Sequence, residues 1–116
     1  MTAGLANLVL EQGSTFVKTL TWYDELGNLR NLTGYSAELQ VRFEAEDEVL
    51  LYSANTTTGE IVLGGALGTI VITIPAAATL ALDFIKAKYD LLLTSGAGVK
   101  TRLIEGAITL SKGVTR

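Results

Sequence analysis

The chain has 116 residues, of which 48% are hydrophobic and 18% are charged, and its formal net charge is −3. It contains neither cysteine nor histidine, which excludes disulfides, thiolate nucleophiles, imidazole bases and zinc sites built from nitrogen and sulfur ligands. This length supports one hydrophobic core, so residues 1–116 are predicted to form a single domain.

Short segments that alternate apolar and polar residues fill the first half of the chain. Leu5–Glu11 and Thr15–Asp24 are the first two predicted strands, and the second is rich in β-branched and aromatic residues. Alternation is clearest in Tyr35–Glu44, which should therefore have one buried side and one solvent-facing side. Val49–Ser53 is the next predicted strand.

The uncharged stretch Ile61–Leu82 is long enough to cross a bilayer as a helix. Its glycines and its alternating isoleucines and threonines instead predict two strands, Ile61–Leu63 and Gly68–Ile74. No basic residue flanks either end, so we expect no membrane partner. Pro75 and the alanines after it predict one short helical turn within residues 75–83.

The last third of the chain predicts a long hairpin, Phe84–Thr94 and Val99–Ser111, joined by a four-residue loop. If the two residues beside the loop pair with each other, apolar side chains face one another and Lys88 lies opposite Glu105. Tyr89 has the position of a tyrosine corner, whose hydroxyl bonds the backbone a few residues upstream; the alternative is an ordinary inward-facing aromatic. Together these elements predict an all-β fold, a two-sheet antiparallel sandwich of immunoglobulin-like topology with about 7–9 strands.

Residue patterns that carry chemistry are sparse. An acidic cluster lacks the spacing and the glycine of an EF-hand and is better explained as a solvated turn: Glu44, Glu46, Asp47 and Glu48. There is no Gly-x-Ser-x-Gly or Ser-x-x-Lys motif, and the nine basic residues, scattered among twelve acidic ones, form no stripe that would bind nucleic acid. We therefore expect no catalytic residue, metal ligand, cofactor or small-molecule substrate, and no enzyme activity. A hydrolase is the alternative if two carboxylates among Asp83, Asp90 and Glu105 lie about 5–10 Å apart in a cleft.

The candidate functional residues are apolar and aromatic. Trp22 and Tyr23 are adjacent in a strand, so only one can face the core, and the other is available for contact. Leu92 and Leu103 fall on the outer side of the predicted hairpin. These four residues are the predicted partner contacts, and burying them by self-association predicts a homo-oligomer. In the alternative, a carbohydrate-binding or adhesin sandwich, one aromatic among Trp22, Tyr23 and Tyr52 stacks on a sugar ring.

Several short sequences, ordered along residues 10–116, carry a family resemblance. They are Glu11-x-Gly13-x-Thr15-Phe16, Leu32-Thr33-Gly34-Tyr35, Gln40-x-Arg42, Gly68-x-Ile70, Tyr89-Asp90-Leu91, Arg102-Leu103 with Gly106, and the terminal Val114-Thr115-Arg116. The chain resembles the small β-sandwich virion proteins encoded among the tail and baseplate genes of tailed bacteriophages.

The resemblance implies a non-enzymatic structural component of a phage or prophage particle, made in the bacterial host cytoplasm and located in the virion. Its implied partners are copies of itself and other virion proteins. The resemblance does not fix the place in the particle: we expect the tail or baseplate region, and an attachment domain for fibres is one alternative. A capsid decoration protein is an alternative within the same resemblance. No catalytic or metal-binding residue is implied.

Overall fold

Two β-sheets pack face to face in the computed structural model, which describes residues 4–112. The strands are β1 (Gly4–Leu5), β2 (Leu8–Glu11), β3 (Phe16–Thr21), β4 (Ser36–Arg42), β5 (Tyr52–Asn55), β6 (Ile61–Leu63), β7 (Thr69–Ile74), β8 (Lys86–Thr94) and β9 (Lys100–Ser111). A short helix, α1 (Ala76–Ala81), follows β7, and a 3-10 turn, Gly65–Leu67, precedes it. The predicted all-β class is confirmed.

The strand order is that of an immunoglobulin-like sandwich. The larger sheet, sheet A, has the order β1-β9-β8-β4-β5 with β2 also on β9, and the smaller sheet, sheet B, has the order β3-β7-β6. In immunoglobulin-like sandwiches the second, fourth and fifth strands form one sheet and the third, sixth and seventh form the other. If β1 and β2 together count as the first strand and β5 is left out as an additional strand, then β3, β6 and β7 of sheet B are the second, fourth and fifth strands. Strands β4, β8 and β9 of sheet A are then the third, sixth and seventh.

Sheet A departs from the predicted purely antiparallel arrangement at its N-terminal edge. The predicted strand Leu5–Glu11 is divided into β1 and β2, and both pair with β9 in parallel. The chain leaves the ladder at Ala6 and Asn7, where the Asn7 side chain accepts a hydrogen bond from the Ala107 N–H at 3.1 Å. A Cβ at Gly106 would overlap the Ala6 carbonyl oxygen, so this close crossing requires glycine.

The core lies between the two sheets and follows the alternation of their strands. Its fully buried members include Ile70, Ile72 and Ile74 of sheet B and Leu39, Leu91, Leu93 and Ile108 of sheet A. The predicted alternation in Tyr35–Glu44 is confirmed over β4, where every second side chain is buried. It ends at Phe43, which lies beyond the strand and is exposed.

The predicted helical turn is present as α1, with Pro75 at its N-cap. Thr79 of this helix is fully buried, and its Oγ1 accepts a hydrogen bond from the Gly13 N–H at 3.1 Å and donates to the Ser14 carbonyl at 2.8 Å. The helix therefore fastens the β2–β3 turn to the end of β7. None of the helices in residues 4–112 has the length and hydrophobicity to span a bilayer.

The β8–β9 hairpin forms, but its predicted register is wrong. The Ser95 N–H donates to the Val99 carbonyl and Gly98 has φ +87°, so the loop has three residues rather than four, closed by a left-handed glycine. A bulge beside Leu91 and Leu92 then shifts the pairing again.

As a result of these shifts, Lys88 pairs with Ala107 and Glu105 pairs with Asp90. Lys88 and Glu105 still lie on the same side of the sheet, as the prediction required, but they are not directly opposite. The combination of a left-handed glycine and a bulge, which alternation does not encode, accounts for the difference.

Tyr89 does not form a tyrosine corner. Its hydroxyl donates to the Ala6 carbonyl at 2.6 Å, across the sheet and far away in sequence rather than a few residues upstream. The side chain is only 4% exposed, and burial raises the pKa of the Tyr89 hydroxyl to about 12. Tyr89 thus ties β8 to the gap between β1 and β2.

Candidate interaction surface

The outer side of sheet B is free of charge. The isoleucines of β7 point inward, so alternation directs the intervening side chains of all three strands outward. Within the described part of the chain, each of these outward residues is valine or threonine: Val17, Thr19, Thr21, Val62, Thr69, Val71 and Thr73. We call this surface the Val–Thr face.

The carboxylate that is nearest in sequence to the Val–Thr face is that of Glu60, just before β6. It accepts hydrogen bonds from the Thr58 hydroxyl and from the Asn55 N–H, and the Thr58 hydrogen bond is the main cause that lowers the pKa of Glu60. Its charge is therefore held at the border of the Val–Thr face by its own loop.

Tyr23 extends the Val–Thr face beyond the end of β3. Its side chain continues the outward alternation of that strand and is 55% exposed. The backbone of Tyr23 forms an isolated antiparallel β-bridge with Leu29, whose side chain is also exposed. The loop between them is closed by the Asp24 carboxylate, which accepts hydrogen bonds from the Leu26 and Asn28 N–H groups at 2.9 and 3.0 Å. Tyr23 is the predicted contact residue that the structure places on this surface.

Trp22 is not available for contact, although it was a predicted contact residue. It is 6% exposed and lies in the core, because the same alternation that exposes Tyr23 turns Trp22 inward. Its ring meets Tyr35 edge-on, with centroids 6.2 Å apart, and the Arg30 guanidinium lies 4.6 Å from its centroid. The prediction that only one of the adjacent aromatics enters the core is confirmed.

The two predicted leucine contacts are not brought together with Tyr23. Leu92 lies on the outer side of sheet A and is half-buried. Leu103 lies at the β9 bulge and packs partly against the core, so its predicted position on the outer face is wrong. The bulge turns it because the extra residue breaks the alternation of β9.

The outer side of sheet A is charged. A groove of about 590 Å³ crosses it, lined by residues of both signs that include Arg42, Lys88, Asp90, Arg102 and Glu105. Arg102 Nε lies 3.2 Å from Asp90 Oδ2, and Arg102 Nη1 lies 3.9 Å from Glu105 Oε2. The two sheets therefore present opposite kinds of surface to solvent.

Two of the three carboxylates considered for hydrolysis do meet in this groove. Asp90 and Glu105 are cross-strand partners, but both are partly exposed and share Arg102. The groove around these two carboxylates is open and lined by charged residues of both signs. Asp83 is bound elsewhere, to Lys112 at 3.1 Å.

The acidic cluster forms a turn closed by its own hydrogen bonds. The Glu44 N–H donates to the Asp47 carboxylate at 3.1 Å, and the Arg42 guanidinium donates to the Asp47 and Glu48 carbonyls at 3.1 and 2.9 Å. Over residues 4–112, no three acidic side chains converge as metal ligands would.

The aromatic residues considered for sugar stacking are dispersed. Tyr52 packs against the core, and burial, followed by the Glu60 carboxylate, raises the pKa of its hydroxyl. With Trp22 buried and Tyr52 half-buried, Tyr23 is the exposed member of the three. A sugar site would therefore depend on Tyr23 alone.

No family model matches the chain, and no curated protein matches it. Among solved structures, the extracellular domain of the voltage-gated sodium channel β4 subunit, described as a parallel homodimer, aligns with 98% of this chain and 97% of its own at 12% identity and a TM-score of 0.48. A voltage-gated sodium channel β subunit studied for cell-adhesive interactions aligns with 97% and 96% of the two chains at 14% identity and a TM-score of 0.42. Extracellular domains 3–5 of Drosophila OTK align with 95% of this chain and 33% of theirs at 18% identity and a TM-score of 0.37. Similarities at this level concern architecture and carry nothing about what this chain binds.

Proposed function

We propose that this chain is a non-enzymatic structural module that assembles through protein–protein contacts, with the Val–Thr face and Tyr23 as its contact surface. The observation that carries the proposal is the contrast between the two sheets. One outer side has charges and ion pairs, and the other has none among its strands.

The composition of the Val–Thr face suits contact with another protein surface. Covering it desolvates no charged group, which avoids the cost of burying charge in an interface. Valine and threonine are β-branched and already restricted at χ1, so they lose little conformational entropy when they are covered. Tyr23 adds an aromatic side chain of the kind that anchors interfaces.

The finer proposal is that the assembly is a tailed-phage or prophage particle, in its tail or baseplate region, with other virion proteins as partners. It is supported by the ordered resemblance, several of whose residues occupy positions that this fold requires. Gly13 has φ +84°, Gly68 has φ +67° and Gly106 lies against Ala6. The Val114-Thr115-Arg116 part of the resemblance lies outside the described residues.

Sedimentation velocity over a range of concentrations tests the contact surface. Val62 on the Val–Thr face is 57% exposed, and Val9 on sheet A is 59% exposed, which makes Val62→Lys and Val9→Lys a matched pair. We expect the wild-type chain to self-associate, Val62→Lys to weaken association by about tenfold or more by burying a charge, and Val9→Lys to leave it unchanged.

A wild-type chain that remains monomeric at about millimolar concentration, where even weak specific association is populated, would overturn the proposed self-assembly. Equal weakening by both lysine variants, each with a wild-type circular dichroism spectrum, would overturn the assignment to this face.

Three further measurements address the finer proposal and its alternatives. Mass spectrometry of purified particles should find the chain retained in intact virions, and its absence from them would contradict a virion location. Glycan-array binding that is abolished by Tyr23→Ala would instead favour the carbohydrate-binding alternative. Capsid decoration is distinguished by finding the chain in tailless heads.

A further inference from the structure

Strand β3 is an edge of sheet B with one side unpaired. The Trp22 N–H donates to the Gly68 carbonyl at 2.9 Å, which makes this a hydrogen-bonded pair in the β3–β7 register. Because such pairs alternate along an antiparallel ladder, the even-numbered residues of β3 bond to β7. The N–H and C=O groups of Val17, Thr19 and Thr21 therefore point to the free side.

Within residues 4–112, no hydrogen bond reaches these groups from the free side. The strand before β3 in the chain, β2, pairs with β9 in the other sheet and leaves this edge uncovered. Of the features that commonly protect a sheet edge, β3 has no proline and no bulge, although it does carry an inward-pointing charge. Its single charge, Lys18, is on the inner side, opposite Ile72.

We propose that the occupant of this edge is strand β3 of a second copy of the chain, paired in antiparallel fashion with Thr19 opposite Thr19. This inference rests on the proposed self-assembly and adds to it a second contact, along the β3 edge, which leaves the Val–Thr faces of the two copies side by side and uncovered. A twofold axis perpendicular to the sheet keeps the two Val–Thr faces on the same side.

The side chains of β3 select this register. With Thr19 at the axis, Val17 lies opposite Thr21, so all three residues with free backbone groups enter hydrogen-bonded pairs. Lys18 then lies opposite Leu20. A register centred on Lys18 places two lysines directly opposite each other, which is unfavourable, and a register centred on Leu20 extends past the end of β3 at Thr21.

Edge pairing also enlarges the Val–Thr face, which is small on a single copy. From strand rise and spacing, the face of one copy measures roughly 20 by 14 Å, or about 300 Å², which is less than the roughly 800 Å² that each partner contributes to a standard interface. Joining the three-stranded sheets of two copies doubles this surface. The edge contact therefore builds a larger uncharged face for assembly.

Single cysteines test the register directly, because the chain has none of its own. In a hydrogen-bonded antiparallel pair the Cα atoms are about 5.5 Å apart, which lies within the range of a disulfide. We expect Thr19→Cys to form a cross-linked dimer under mild oxidation. Thr21→Cys is the matched control, since two copies of that residue would be roughly 14 Å apart.

A mixture of Val17→Cys and Thr21→Cys should also cross-link, because this register makes those residues partners. We expect Thr19→Cys and the mixture each to react at least about tenfold faster than Thr21→Cys alone, in proportion to the local thiol concentration. Near-UV circular dichroism on reduced protein checks that each variant keeps the wild-type fold.

Equal cross-linking of Thr19→Cys and Thr21→Cys would overturn the inference, since random encounters do not depend on position. Wild-type association in sedimentation without preferential Thr19→Cys cross-linking would also overturn it, while the proposed contact surface would stand. A monomeric wild-type chain would overturn both.

Discussion

Replacing Gly68 by alanine should destabilise the protein more than the same change at Gly27. Gly68 ends the 3-10 turn with φ +67°, and a Cβ there would lie 2.8 Å from the Trp22 carbonyl oxygen and 3.0 Å from that of Arg30. Gly27 also has a left-handed conformation, φ +85°, but a Cβ there would meet nothing within 4 Å. The pair therefore separates backbone strain from steric overlap.

Strain and overlap can each be assigned a magnitude. The left-handed conformation costs a residue with a Cβ about 1–2 kcal/mol, so Gly27→Ala should lower the free energy of unfolding by that amount. Forcing an extra carbon into a packed site costs a further 1–3 kcal/mol or so. We therefore expect Gly68→Ala to lose about 2–5 kcal/mol.

Urea denaturation followed by tryptophan fluorescence measures both losses, because Trp22 is the single tryptophan and is buried next to Gly68. The Gly27→Ala variant controls for the backbone conformation. If the two variants lose the same free energy within about 0.5 kcal/mol, which is the size of an ordinary surface effect, the argument from overlap is wrong.

Two buried hydroxyls give further predictions. Tyr89→Phe leaves the Ala6 carbonyl without its donor and should cost about 1–3 kcal/mol in urea denaturation. Since the folded-state pKa of about 12 exceeds the ordinary 10.0, the native state keeps a proton that the unfolded state loses. The contribution of Tyr89 to the free energy of unfolding is therefore complete below pH 10.0 and is lost as the pH rises to about 12. If the free energy of unfolding of Tyr89→Phe depends on pH in the same way as that of the wild type, this reasoning is wrong. Thr79→Val keeps the shape but leaves the Gly13 N–H and the Ser14 carbonyl unpaired, so it should cost about 1–3 kcal/mol, and a neutral thermal melt would argue against that role.

Alternation was sufficient to predict most strands and their buried sides. β6 is where it was predicted, β7 and β9 start one residue later than predicted, and α1 follows Pro75 as expected. Alternation specifies a side rather than a partner, so the parallel pairing of β1 and β2 with β9 was not predicted. The hairpin register failed for a related reason, because it depends on the left-handed Gly98 and on a bulge.

The contact surface was only partly predictable. Adjacent aromatics must face opposite sides, but choosing Trp22 for the core requires knowing which side of β3 meets the isoleucines of β7. The residues of the Val–Thr face were visible in the sequence, because every second residue of 17–21 and 69–73 is valine or threonine. Its unpaired edge was not visible, since it exists only because β2 crosses to the other sheet.

The parallel ladder between β2 and β9 has a mechanical consequence. Leu8 pairs with Ile108 and Glu11 with Ser111, so the chain enters this ladder at one end through β2 and leaves it at the opposite end through β9. Tension applied to the two flanking segments would slide the strands along each other and strain all the rungs of the ladder together. An antiparallel hairpin pulled from its ends would instead unzip one rung at a time, at lower force.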